Sequence, residues 1–130
     1  MLIELIVTIV VAGLFLATAW QLTQTIVQLS VGGSQRTIAS NVAYANLRQY
    51  ANGRPPTWFT CNDAAPNTPV VLKDSPAAID RLPAPVVQYV SATAPYGCGG
   101  TASGMPVRVE SYVTYGPSAR RVTHVSYASY

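Results

Sequence analysis

Between Glu4 and Arg36 the chain carries no charged side chain, a run of 31 residues. Over residues 5–20 only Thr8, Gly13 and Thr18 interrupt the apolar sequence, and each is small. About twenty such residues in helical form cross a bilayer core, and Trp20 falls near one end, where an interfacial aromatic is common. A segment of this kind must be surrounded by lipid or by other protein. A secretory signal peptide is a poor match, because its apolar core is short and follows basic residues. Here the first basic residue is Arg36 and position 4 is acidic. A plain membrane anchor accounts for the hydrophobicity but gives no reason for Glu4.

A carboxylate beside a membrane-spanning run is costly without a partner, so its presence points to a function. The natural partner is an α-amine, its own at Met1 or that of a neighbouring copy. In a bundle of identical helices one such pair per copy sets the axial register, because misregistration leaves a carboxylate unpaired among apolar groups.

The string Leu2-Ile3-Glu4-Leu5-Ile6-Val7, followed by an apolar run containing Gly13, resembles the mature N-terminus of type IV pilins and pseudopilins over roughly the first twenty residues. The resemblance implies a short basic leader removed by a prepilin peptidase, N-methylation, storage in the cytoplasmic membrane, and export into a helical homopolymer by a pilus assembly machinery. It assigns assembly to Met1 and Glu4. It assigns filament-core packing to Leu2, Ile3, Leu5, Ile6, Ile9, Val10, Gly13, Leu14 and Phe15. In the family the glutamate is normally fifth, usually after a phenylalanine; here it is fourth, after Met1, which leaves the mature first residue open. All eight basic residues follow the span, and on a positive-inside count alone they would hold the rest of the chain in the cytoplasm. A removed basic leader reverses that balance.

Only 10% of the residues are charged, against about a quarter in soluble domains, which again points to surfaces that meet lipid or protein. Much of the 49% apolar content precedes residue 32, leaving about a hundred residues to build a modest core. The net charge of +3 comes without a basic cluster and is no nucleic-acid footprint by itself. Cys61 and Cys98 are the two cysteines; behind a membrane-targeting segment such a pair reads as a disulfide and places the head outside the cytosol. Two thiols and one histidine do not fill a zinc shell. Closing that loop contributes roughly 3–4 kcal/mol in the entropy model.

The expected fold is α+β: a helix over about residues 2–52 with a projecting hydrophobic half, packed on a small antiparallel sheet of three or four strands. Residues 1–31 form the transmembrane or filament-core segment and residues 32–130 the exported head. Beyond the span, Val31, Ile38, Val42 and Ala45 mark one face of an amphipathic helix over residues 34–52, with Gln35, Arg36, Asn46 and Arg48 elsewhere on its surface. Asn52-Gly53 and then Pro55-Pro56 end it. Such a helix is about 75 Å long. Gly32-Gly33 offers a bend. Gly13, among β-branched residues, marks a second weak point and a place for local melting over residues 13–22, although the proline that some pilins carry there is absent. Alternatively Gly13 simply permits close helix contact.

Residues 53–85 read as a proline-rich irregular loop, since residues 55–85 hold seven of the ten prolines. One short helix is expected inside it, capped by Asp74 or Ser75, with Pro76 first and Leu82 last. Residues 86–130 supply the sheet. Val86 to Val90 makes one strand; Val107, Val109, Val113 and Tyr115 alternate with Arg108, Glu110, Tyr112 and Thr114 in a second. Gly116-Pro117-Ser118-Ala119 turns the chain, and residues 122–130 return antiparallel. The apolar sheet face is expected to cover Ile38, Val42 and Ala45.

No catalytic constellation, metal site or cofactor motif is legible, so an enzyme is not expected. His124 lies on a strand beside Val122 and Ser126 and reads as structural. Asp63, Asp74, Asp80 and Glu110 are too scattered for a calcium loop. The eight tyrosines with Arg108, Arg120 and Arg121 offer weak support for nucleic-acid contact; strand propensity explains the tyrosines better. The function expected is that of the structural major subunit of a type IV pilus-like filament. A pseudopilin of a secretion or competence system is the alternative within the family. A monomeric membrane-anchored extracellular binding module is the alternative from another class.

Overall fold

A computed structural model describes residues 1–61, 69–97 and 104–129. Helix α1 spans Leu2–Tyr50, and four strands follow: β1 (Val70–Ser75), β2 (Val86–Thr93), β3 (Pro106–Tyr115) and β4 (Arg120–Ser129). The strands form one antiparallel sheet in the order β1-β2-β3-β4, so every strand pairs with its sequence neighbour. This is the expected α+β fold, a long N-terminal helix packed on a four-stranded antiparallel sheet. The chain divides into two compact units, Met1–Ser34 and Gln35–Tyr130.

In the first unit the helix is unbroken. Gly13 and the residues to Leu22 are helical, so the local melting considered for residues 13–22 is not observed, and helical bonding also continues through Gly32-Gly33. The physical reason is local. No proline removes an N–H here, and the threonine hydroxyls bond to carbonyls one turn back without displacing the backbone ladder: Thr8 Oγ1 donates to the Glu4 carbonyl (2.7 Å) and Thr23 Oγ1 to the Ala19 carbonyl (3.0 Å).

In the second unit α1 ends at Tyr50, and Gly53 follows at φ 74°, the left-handed backbone that a helix end commonly takes and that glycine adopts without strain. The sheet-facing stripe differs from the one expected. Ala39, Ala43 and Leu47 are buried, Ile38 and Val42 flank them half-buried, and Ala45 is exposed. Two alanines one turn apart let the helix backbone approach the sheet, and the larger neighbours pack to the side. Asn46, expected on the outer surface, instead turns toward the sheet, where its Nδ2 donates to Gln88 Oε1 at 2.9 Å.

Strand β3 shows the expected alternation, with Val107, Val109, Val113 and Tyr115 buried and Ser111 buried between them. Two apolar clusters form the core. Leu47, Phe59, Val90, Ala92, Val107, Val109 and Ala128 make one; Ala39, Ala43, Leu82, Val86, Val113 and Tyr115 make the other. The β3–β4 turn is where the sequence places it, with Ala119 N–H donating to the Gly116 carbonyl at 3.0 Å. Gly116 has φ 76°, a backbone conformation that favours glycine, while a Cβ there would meet Pro83 at 3.4 Å, an ordinary contact.

The segment read as a proline-rich loop over residues 53–85 needs two corrections. Val70–Ser75 is strand β1, paired with β2 and irregular between Val71 and Lys73. Pro69 and Pro76 bracket that strand rather than interrupt it, and an edge strand tolerates prolines at its ends. The short helix from Pro76 to Leu82 does not form. Ser75 is instead the last β1 residue, paired with Val86, and its Oγ accepts only the Ala77 N–H, at 3.3 Å. Asp80 and Arg81 take φ of 51° and 66°, which closes a tight turn with Leu82 N–H donating to the Ile79 carbonyl at 2.8 Å. Two helical turns without tertiary support do not nucleate, and the turn wins because it delivers Leu82 into the core.

Candidate functional site

The segment that the sequence marks for assembly is the first unit. Each of residues 1–31 is solvent-exposed, including Met1, Leu2, Ile3, Leu5, Ile6, Ile9, Val10, Leu14 and Phe15. At 3.6 residues per turn these side chains point to every side of the helix, so the apolar surface is a sleeve rather than a stripe. Helix α1 is long and apolar enough to cross a membrane, with a mean hydropathy of 2.5 over its best stretch. An all-round apolar helix belongs in lipid or inside protein, not at a water-facing surface.

Polar groups within this sleeve fall into two kinds. Hydroxyls are satisfied internally: besides Thr8 and Thr23, Thr18 Oγ1 donates to the Phe15 carbonyl (2.9 Å) and Thr25 Oγ1 to the Gln21 carbonyl (3.0 Å). Carboxylate and amides are not. Among the described residues the Glu4 carboxylate has no ion-pair or hydrogen-bond partner, the Met1 amine included, and the side-chain amides of Gln21, Gln24 and Gln28 have none either. Gly13 sits in open space, with nothing within 4 Å of an added Cβ.

Several polar side chains of the second unit engage one another, while the buried Trp58 Nε1 and Ser111 Oγ have no hydrogen-bond partner among the described residues. Glu110 is the centre of a small network on the sheet face away from α1: its Oε1 accepts from Arg121 at 2.9 Å and its Oε2 from Arg108 at 3.2 Å. Arg121 also lies 3.8 Å over the Tyr112 ring, and Tyr112 stacks on Tyr89 with centroids 4.6 Å apart. Two of the three arginines weighed for nucleic-acid contact, Arg108 and Arg121, are therefore engaged within the sheet, although Arg121 is exposed, as is Arg120. On the helix-facing side His124 Nε2 and Ser40 Oγ share a 2.8 Å hydrogen bond, and Tyr44 meets the imidazole edge-on. His124 thus ties β4 to α1, as a structural residue does. Sequence reasoning did not single out Ser40, Gln88 or the pairing role of Glu110, and it placed Asn46 on the outer surface. The signal for Glu110 was its place between Arg108 on its own strand and the arginines that open the next one.

Cys61 is disulfide-bonded. Cys98, its expected partner, lies outside the described residues, as does Asp63. No group of three or more potential metal ligands occurs among the described residues. No protein-family model, curated protein or solved structure matches the chain.

Proposed function

We propose that this chain is the structural major subunit of a type IV pilus-like extracellular filament, held in the cytoplasmic membrane before assembly and polymerised through residues 1–31. The observation that carries the reading is Glu4, an unpaired carboxylate at the head of an apolar sleeve that stays uncharged as far as Arg36. Lipid solvates the sleeve but leaves the carboxylate costly. A terminal amine from a neighbouring copy neutralises it and fixes the axial position of each subunit.

The test is to shear producing cells, image the released material by electron microscopy and compare wild type with Glu4→Ala. Thin filaments containing a methylated, disulfide-bonded subunit are expected from wild type. With Glu4→Ala the surface polymer is lost while the head keeps its resistance to protease. A monomer that stays in the membrane fraction, with Glu4→Ala behaving as wild type, refutes the filament and favours an anchored binding module.

A further inference from the structure

The geometry points to Asn52 as a site of spontaneous covalent modification, at which the Gly53 nitrogen attacks the side-chain amide, ammonia is lost, and aspartate or isoaspartate is left behind. The site belongs to the second unit and does not depend on the filament reading.

An asparagine side chain reacts with the backbone nitrogen that follows it when three conditions hold. The next residue must leave that nitrogen open, the backbone must be able to bring it onto Cγ, and the amide must not be held elsewhere. Gly53 has no side chain, and an added Cβ there would meet nothing within 4 Å, so no neighbour shields the nitrogen. Residues 52–54 are exposed and lie beyond Tyr50, the last residue of α1, and a glycine moves between backbone conformations at little cost. Among the described residues the Asn52 amide has no hydrogen-bond partner. One contact opposes the attack: the Gly53 N–H donates to the Ala51 carbonyl at 2.9 Å. That bond closes a single three-residue turn at an exposed position, where water replaces it when it opens. The other asparagines among the described residues meet none of the conditions. Asn41 and Asn46 lie within α1 and precede the bulky Val42 and Leu47, and the Asn46 amide donates to Gln88.

In the first step the Gly53 nitrogen sheds its proton to water and bonds to Asn52 Cγ. The Cγ–Nδ2 bond breaks, and ammonia leaves with a proton returned from water, which closes a five-membered succinimide. Water then adds to one of the two ring carbonyls. Breaking the new bond to Cγ gives aspartate; breaking the original peptide bond to Gly53 gives isoaspartate, whose main chain runs through Cβ and Cγ. Either route consumes one water, releases one ammonia and oxidises nothing, and it lowers the chain's formal charge by one from +3. The fold tolerates the product. Ala51 packs on the core before the site, and Pro56 and Phe59 are buried after it, so the added main-chain carbon falls in the exposed span between those anchors. The carbonyl end of a helix disfavours a new carboxylate, and Arg48 in its last turn together with Arg54 just beyond are the cations that offset it. Modified chains therefore stay folded and accumulate.

The test incubates the full chain, folded in detergent, in mildly acidic and mildly alkaline buffer and follows it by peptide mass mapping. The peptide spanning Asn52 is expected to gain one mass unit, several-fold faster in the alkaline buffer because the attacking nitrogen must lose its proton. Peptides carrying Asn41 and Asn46 are expected to stay unchanged. Part of the product is expected to resist a protease that cuts only beside normal aspartate, which marks the isoaspartate. Asn52→Gln, whose longer side chain must close a six-membered ring, is expected to abolish the acidic form seen by isoelectric focusing. An Asn52 peptide that stays unmodified in the folded chain overturns the proposal, and its reaction in urea alone then identifies the turn to Ala51 as protective. Conversion at Asn41 or Asn46 as fast as at Asn52, or an acidic form that persists in Asn52→Gln, overturns it as well.

Discussion

Leu82 lies in a stretch of prolines and turns, yet it is 1% exposed and packs with Ala39, Ala43, Val86, Val113 and Tyr115. Replacing it with alanine removes three carbons from the cluster that joins α1 to the sheet. Collapse around the gap is restricted, because the neighbours on both sides are held by strand pairing and by the helix. Leucine-to-alanine changes at such sites cost about 2–5 kcal/mol, and a middle value of about 3 kcal/mol is expected. In a head the size of Gln35–Tyr130 each kcal/mol shifts Tm by roughly 4–8 °C, so Leu82→Ala lowers Tm by roughly 12–24 °C. Val71 is the internal control: it belongs to the same proline-bracketed stretch but is half exposed. With little burial to lose, Val71→Ala costs under about 1 kcal/mol. The assay is thermal unfolding of the full chain in detergent, followed by near-ultraviolet circular dichroism, which reports the aromatic-rich head. A Leu82→Ala shift no larger than that of Val71→Ala refutes the claim that the turn after Ile79 is part of the core.

Glu110→Gln breaks two ion pairs at once, to Arg108 and Arg121. Both arginines are about half exposed, so the expected loss is about 0.5–1 kcal/mol; urea unfolding measures it, and the loss must shrink in high salt. Ser40→Ala and His124→Ala remove the two ends of one 2.8 Å hydrogen bond, so a double-mutant cycle is expected to return a coupling of about 1 kcal/mol. A coupling near zero means that the bond does not hold β4 to α1.

Where a single period governs a segment, the sequence was enough. Strand β3 alternates cleanly because one of its faces is buried against α1 and the other is not. The end of α1 follows from Asn52-Gly53 and the prolines after it. The sheet-facing stripe of α1 was displaced toward Ala39 and Ala43 because alanines are weak hydrophobic markers, and their contribution is the space they leave rather than the area they bury. Strand β1 was hidden by its flanking prolines, although Val70-Val71-Leu72 carried strand propensity. The missing helix before Leu82 reflects a competition that no window of sequence shows: Ser75 pairs with Val86, a residue eleven positions further on, and that pairing removes the cap. Ser111 is buried with its hydroxyl unpartnered, at a position where the alternation of β3 alone calls for an apolar residue. For the candidate site, Glu4 and the apolar sleeve were legible from charge alone.

The first unit differs from the second in carrying its few polar groups on an almost wholly apolar surface, and this bears on what surrounds it. In the second, Glu110, Arg108, Arg121, Asn46, Gln88, Ser40 and His124 are partnered within the unit. In the first, the hydroxyls are closed off by the helix itself, whereas one carboxylate and three amides remain open on a surface that is otherwise apolar. Water satisfies those four groups but not the apolar sleeve, which is far larger than the exposed apolar patches that monomeric proteins carry. Lipid satisfies the sleeve and, beyond Trp20, its headgroups satisfy the amides, but it leaves the carboxylate costly. A second copy of the same helix supplies apolar surface for the sleeve and a terminal amine for the carboxylate. Of the three environments it is the one that meets both the sleeve and the carboxylate, which is the physical ground for the proposed self-association.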